Sequence, residues 1–228
     1  MGVIEENLRE IESRIAGACH AYNRRVDEIT LVGVSKTVGV DSIREGINAG
    51  LTHLGENKIQ EAEKKIPAIG TGPIWHMIGH LQSNKVKKAV QLFDIIESVD
   101  SIKLAETISK ECVKQEITMK VLLEVNSSGE ESKYGAEPEL IPELAEKVNM
   151  LENIELCGLM TVGPLTDDAE TIVRAFELTH TLFRRLQDQY GDKISTLSMG
   201  MTGDFEQAIK FGSTELRIGT AIFGARNY

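Results

Sequence analysis

The chain holds 228 residues, 41% hydrophobic and 26% charged, the proportions of an ordinary soluble globular protein with material for a sizeable core. Its net charge of -10 excludes a broad nucleic-acid footprint, which needs a basic face to displace counterions, and the short run "NKVKK" reads as a solvated helix face. No apolar stretch approaches membrane-spanning length.

The opening "MGVIEENLREIESRI" is acidic where a secretory signal needs a basic start, and Glu6 stands where myristoylation needs Ser or Thr. Cys19, Cys112 and Cys157 fit no paired or metal-ligand spacing and read as small buried hydrophobes in a reducing compartment. A cytoplasmic location is expected.

Ile4, Leu8, Ile11, Ile15, Ala18 and Tyr22 alternate at spacings of four and three and predict an N-terminal helix with one apolar stripe. Strand-like runs follow at 29–35, 52–56, 74–79, 94–99, 119–125, 154–162, 194–199 and 214–223. Cap and periodicity signals place helices between them, at about 41–49, 58–66, 83–91, 101–116, 138–149, 168–190 and 204–211. Alternating strands and helices imply a parallel sheet, because each crossover returns the chain to the same end. Eight such units predict an α/β fold, a single closed (β/α)8 TIM-type barrel. An open doubly wound sheet is the runner-up, but "GVSKTVGV" is not its glycine-rich first turn. With no Pro-, Gly- or Ser-rich linker, 1–228 reads as one domain. The eighth run leaves no room for a helix before Tyr228, so the N-terminal helix is expected to pack in that place.

The first strand ends in Lys36. A lone lysine there usually reaches water while its stem covers apolar surface. Here other strand ends are polar too: Glu56 and Asn57, His76, Ser98, Asn126, Thr161, Ser198 and Arg217. Reactive groups of such barrels sit at the C-terminal strand ends, so this ring predicts a site. "LSMGMTGDFEQAIKFG" ends strand seven in Ser198 and Gly200 and opens a helix at Asp204, with Gln207 in capping-box position. "ELRIGTAIFG" ends strand eight in Gly219 and Thr220, the usual barrel location for a phosphate. With Lys36 these loops imply a phosphorylated carbonyl compound held as a Schiff base. His76 and His80 tempt a zinc reading, but residues four apart on a strand lie two pleats apart and no carboxylate or cysteine completes a ligand set, so no metal is expected. His20, His53 and His180 fall outside the site so read.

The blocks "LVGVSKT", "HLGENKIQEA", "WHMIGHLQSNK", "GLMTVGP" and "SMGMTGDFEQAIKFGSTELRIGTAIFGAR" together closely resemble the YggS/PROSC family of pyridoxal 5'-phosphate (PLP) homeostasis proteins. That resemblance spans nearly the whole chain and implies a fold-type III PLP barrel like the N-terminal barrel of alanine racemase. It implies Lys36 as the lysine forming the internal aldimine, Arg217 facing the pyridine nitrogen, and Ser198, Gly219 and Thr220 as the phosphate cup. Asn57, Met199 and Gly200 are implied to line the cofactor pocket. Thr202-Gly203 replaces a Ser-Asp pair frequent in the family, and His80 stands where proline is frequent.

The expectation is therefore a PLP carrier or buffer acting in PLP homeostasis. Its partners are PLP and PLP-dependent apoenzymes, with no catalytic residue, no nucleic acid and no membrane, as a monomer or weak dimer. A PLP-dependent amino-acid racemase-like enzyme is the alternative. A class I aldolase, which forms its Schiff base with the substrate and holds no cofactor, is the further one.

Overall fold

The computed structural model describes residues 2–130, 133–166 and 168–224. The terminal residues 225–228, with Tyr228, lie outside them. Helix α1 (Val3–Ala21) buries Ile4, Leu8, Ile11, Ile15 and Ala18 as their spacing predicts. Tyr22 departs from the stripe: it is the C-cap residue and 41% exposed, and Cys19 takes the buried place.

The chain then alternates as expected through β1 (Thr30–Val34), α2 (Val40–Asn48), β2 (His53–Glu56), α3 (Ile59–Ile69), β3 (Ile74–Met77), α4 (Val86–Leu92), β4 (Ile95–Val99) and α5 (Ile102–Gln115). It continues through β5 (Met119–Glu124), α6 (Ile141–Asn149), β6 (Ile154–Met160), α7 (Ala169–Tyr190), β7 (Thr196–Ser198), α8 (Phe205–Lys210), β8 (Glu215–Ile218) and α9 (Thr220–Phe223). All neighbouring strands pair in parallel, and β8 returns to β1 with Arg217 opposite Val32, closing the barrel in sequence order.

Two expectations need correction. The eighth strand stops at Ile218, and Gly219 turns the chain into α9 with φ -114° and ψ -77°. A one-turn helix therefore does follow the last strand. Asn7 of α1 donates to the Ile222 carbonyl at 2.9 Å, and α1 packs against α2, α8 and α9, which fills the outer ring as predicted. The capping box at α8 does not form: the Asp204 carboxylate turns back to accept the Met201 N–H at 2.6 Å. At α7, by contrast, Asp168 accepts from the N–H groups of Glu170 and Thr171.

The main hydrophobic core lies between the strands and the surrounding helices, and all three cysteines are buried and unbridged. A separate small cluster of Leu122, Cys157 and Met160 spans β5 and β6. Elsewhere the strands bury polar groups: His76, Glu97, Ser198, Glu215 and Arg217 are each at most 4% exposed. Such groups are retained against their desolvation cost only when they satisfy one another. No helix among the described residues is long and apolar enough to cross a membrane.

Candidate functional site

Lys36 stands one residue beyond β1, after Ser35, and α3 holds the peptide units on both sides of it. Ile59, Ala62 and Lys65 share the buried face of α3, so the lysine stem lies along the barrel wall. The Lys65 ammonium donates to the Ser35 carbonyl at 2.7 Å, to Glu56 Oε1 at 2.6 Å and to Glu61 Oε2 at 2.7 Å. The same Glu61 oxygen accepts the Thr37 N–H at 2.8 Å. Thr37 has φ +65°, a conformation unfavourable to a β-branched residue, which persists because these bonds hold its own N–H and the Ser35 carbonyl. Burial pushes the Glu56 carboxyl up, against the opposing pull of Lys65 and Ser35.

Lys36 lines a cavity of about 170 Å³ together with Thr37, Ser42, Gly219, Thr220 and Phe223. Three sequence-predicted residues, Lys36, Gly219 and Thr220, are thus brought to one place. A side chain at 219 would set its Cβ 3.3 Å from both the Cβ and the carbonyl oxygen of Val34, a tight contact that glycine avoids, leaving this wall open.

Ser198 and Arg217 meet inside the barrel rather than at that cavity. Arg217 Nη1 donates to Ser198 Oγ at 2.5 Å and Nη2 to the Thr161 carbonyl at 2.7 Å. The Ser198 hydroxyl donates in turn to Glu97 Oε2 at 2.7 Å, and the serine is fully buried. Its hydroxyl is therefore committed to the arginine and the glutamate. Met199, one residue on, faces the other way into the helix-facing core, so neither side chain lines the cavity of Lys36. Gly200 has φ +98°, and a Cβ there would lie 2.6 Å from that of Ala208; its carbonyl accepts the Arg217 N–H at 3.0 Å.

Asn57 lines a second, larger cavity of about 550 Å³ with Lys58, Gly79, His80, Lys85 and Tyr134. His80 and Tyr134 stack there, ring centroids 3.9 Å apart and planes within 10°. The Asn57 Oδ1 is buried without a partner.

Sequence reasoning missed Glu97 and Glu215. Closure of the barrel carries both to His76: its Nδ1 lies 2.7 Å from Glu97 Oε1 and 3.7 Å from Glu215 Oε2. These three residues offer ligating atoms within 4.8 Å of one another. The fixed positive charge of Arg217, 3.9 Å from Glu97, already stands where a cation would balance the carboxylates, and the arrangement reads as hydrogen-bonded rather than metal-binding. Burial opposes ionisation of Glu97, but the hydrogen bond and charge of His76 and the charge of Arg217 hold its carboxyl below the usual range. Burial pushes Glu215 up to about 8, with the neighbouring Glu97 acting in the same sense. His53, read as outside the site, joins this network through His76 at 2.9 Å. Lys65 was missed as well. Its burial at positions 59, 62 and 65 of one helix face was the available signal.

A closed parallel barrel with a lysine after its first strand and a buried arginine on its last defines a structural class, and the chain matches the family profile "Alanine racemase, N-terminal domain" over residues 4–227. It is 41% identical over 229 residues to the pyridoxal phosphate homeostasis protein of Pasteurella multocida, covering 99% of this chain and 98% of that one. The corresponding protein of Aquifex aeolicus is 42% identical over 224 residues, covering 98% of each chain. Among solved structures, PipY of Synechococcus elongatus with PLP bound superposes with a TM-score of 0.84 at 33% identity, covering 97% of this chain and 100% of that one. The chain belongs to the pyridoxal phosphate homeostasis protein family.

Proposed function

We propose that this protein binds pyridoxal 5'-phosphate, with Lys36 as covalent anchor, and acts as a carrier or buffer of the cofactor rather than as an enzyme. The observation that carries this reading is the clamp on Lys36: Lys65 and Glu61 pin the backbone on either side of it at the edge of a cavity that Gly219 and Thr220 also line. The PLP-bound relative and the names of the full-length relatives agree with it.

The residues present fit the cofactor. The open wall at Gly219 admits a phosphate close to the backbone, where the first N–H groups of α9 have no partner within the helix. Arg217, fixed by Ser198 and Thr161, is proposed to face the ring nitrogen, and Asn57 and Gly200 to border the ring. When bound, PLP supplies an aldehyde that a lysine amine takes up reversibly. Lys36 supplies the amine, Gly219 and Thr220 hold the phosphate, and Arg217 orients the ring. On this reading residues 1–228 act as one domain in the cytoplasm, as a monomer or weak dimer that passes PLP to apoenzymes.

The test is the visible spectrum of the purified protein before and after borohydride, followed by peptide mapping. The expected result is a visible band that borohydride removes, with the label on Lys36. Lys36→Ala should lose the band while phosphate contacts retain some cofactor. An unchanged band in that variant sinks the assignment, and a colourless protein that traps a carbonyl substrate instead favours an aldolase.

A further inference from the structure

The polar network behind Arg217 runs to the opposite end of the barrel. From Arg217 it passes through Ser198 Oγ at 2.5 Å, Glu97 at 2.7 Å and His76 Nδ1 at 2.7 Å. It ends where His76 Nε2 meets His53 Nδ1 at 2.9 Å. His53 opens β2, at the end of the strand away from the mouth, and is only half-buried. It lines a cavity of about 270 Å³ with Glu12 of α1, Thr30 and Thr52. One end of the chain thus reaches solvent and the other reaches the arginine.

The valences fix nearly every hydrogen. Arginine only donates and an ionised carboxylate only accepts, so the Ser198 hydrogen goes to Glu97 and His76 Nδ1 carries a hydrogen. Beside the proton that burial keeps on Glu215 up to about pH 8, a single one is left to place, the one between His76 Nε2 and His53 Nδ1. Held by His76, it makes that ring an imidazolium with two acceptors; held by His53, it leaves His76 neutral beside Glu97.

The charges facing the pair come from four elements. His53 sees His76 on β3, Asp94 ahead of β4, Glu97 on β4 and Glu12 across the cavity. His76 sees Glu97, Asp94 and, on β8, Glu215. Burial, then the neighbouring His76, lower the His53 pKa. Burial also opposes charge on His76, but its hydrogen bond to Glu97 and the carboxylates around it raise its pKa. The resting proton belongs on His76.

We propose that His53 and His76 form a proton-sharing pair that carries the protonation state of the N-terminal end of the barrel to Glu97, and so sets how strongly that carboxylate holds Ser198 and, through it, Arg217. His53 is then a positioning residue acting from outside the cofactor cavity. The effect on bound PLP rests on the proposed place of Arg217; the pair itself does not.

The test has two arms. In cofactor-free protein, imidazole ¹⁵N shifts are followed against pH for the wild type, His53→Phe and His53→Asn. The wild type should show His76 protonated on both nitrogens near neutral pH. Phenylalanine removes the acceptor, so His76 should lose its proton at a pH lower by about one unit or more. Asparagine, whose Oδ1 can accept as Nδ1 does, should restore most of it. In the PLP-loaded protein, the pH dependence of the visible band should move in the same order. Identical His76 titrations in all three proteins, or equal shifts in both variants, overturn the pair. A shifted His76 with an unmoved band overturns the coupling to the cofactor site. A wild type without a band defeats the PLP reading instead, and the nitrogen shifts still decide the pair.

Discussion

Lys65 and Glu56 form a buried ion pair, Nζ 2.6 Å from Oε1, with the glutamate side chain wholly out of water. A pair of this kind is weak evidence for stability as such, because desolvation offsets most of the attraction. Its geometry has another use, since the ammonium also holds the Ser35 carbonyl and, through Glu61, the Thr37 N–H. Losing one partner strands the other. Lys65→Met should therefore cost about 3–5 kcal/mol near neutral pH. The carboxyl of Glu56 is already raised by burial and rises further without Lys65. The folded variant then holds a proton that the unfolded chain releases, so the loss grows as pH rises above the ordinary carboxylate range and shrinks toward acid. Urea unfolding at pH 5 and pH 8 checks the sign, and adding Glu56→Gln should recover much of the loss at the higher pH. A pH-independent loss would show that only packing was removed.

In the cavity that Lys36 lines, Gly219→Val should weaken PLP binding by about tenfold or more, roughly 1.4 kcal/mol. The new Cβ would meet Val34 at 3.3 Å, and the branched methyls extend from there into the space given to the anion. Pyridoxal, which lacks the phosphate, should lose far less affinity. Titrating both ligands into both proteins distinguishes the cases: equal losses would place the damage in folding or the ring pocket.

Lys36, Gly219 and Thr220 are legible in the sequence because a strand end shows as an apolar run that stops at a polar residue or a glycine. The barrel is legible for a similar reason, as its strands and helices are local and alternate. What closure joins is not. His76, Glu97 and Glu215 belong to β3, β4 and β8, and only the inward face of a closed sheet makes them neighbours. Ser198 and Met199 illustrate a finer limit: the last residue of β7 and the one after it face opposite layers, so the motif that contains both does not send both side chains to one cavity. The end of β8 is not legible in the sequence, because Thr220–Phe223 is apolar enough for a strand, while the turn at Gly219 and the packing of α1 make it a helix.

Glu124 gives a pH dependence with a definite sign. Burial, reinforced by the charges of Asp100 and Glu97 and opposed by Arg217, lifts its carboxyl to about 7 from the ordinary 4.5. Its Oε2 has no partner. Between these values the folded protein binds a proton that the unfolded chain does not, so stability falls as pH rises through this window. The loss is complete above pH 7 and amounts to about 3 kcal/mol at most. Glu124→Gln should flatten the slope between pH 5 and pH 7 and be more stable than the wild type at pH 8. Urea midpoints across that range measure it, and parallel curves for the two proteins would contradict the assignment.

The last prediction concerns turnover: the PLP-loaded protein should not racemise amino acids at a useful rate. Racemisation needs two bases on opposite faces of the substrate carbon and a ring that draws electrons strongly. Arg217 does not give up its protons, and two of its nitrogens are already committed to Ser198 and Thr161. In the proposed pose it leaves the ring nitrogen without a proton and the ring a weak electron sink. Lys36 can serve as one base. The obvious candidate for the other is Tyr134, but its ring stacks on His80 beside the second cavity and is 57% exposed, away from the cavity that Lys36 lines. Incubation with L-alanine and other L-amino acids in deuterated water, following the α-proton signal and the chirality, separates the outcomes. Slow exchange with retained chirality is the expected result, from Lys36 working on one face. Efficient formation of the D-isomer that disappears in Tyr134→Phe would replace the carrier reading with an enzyme.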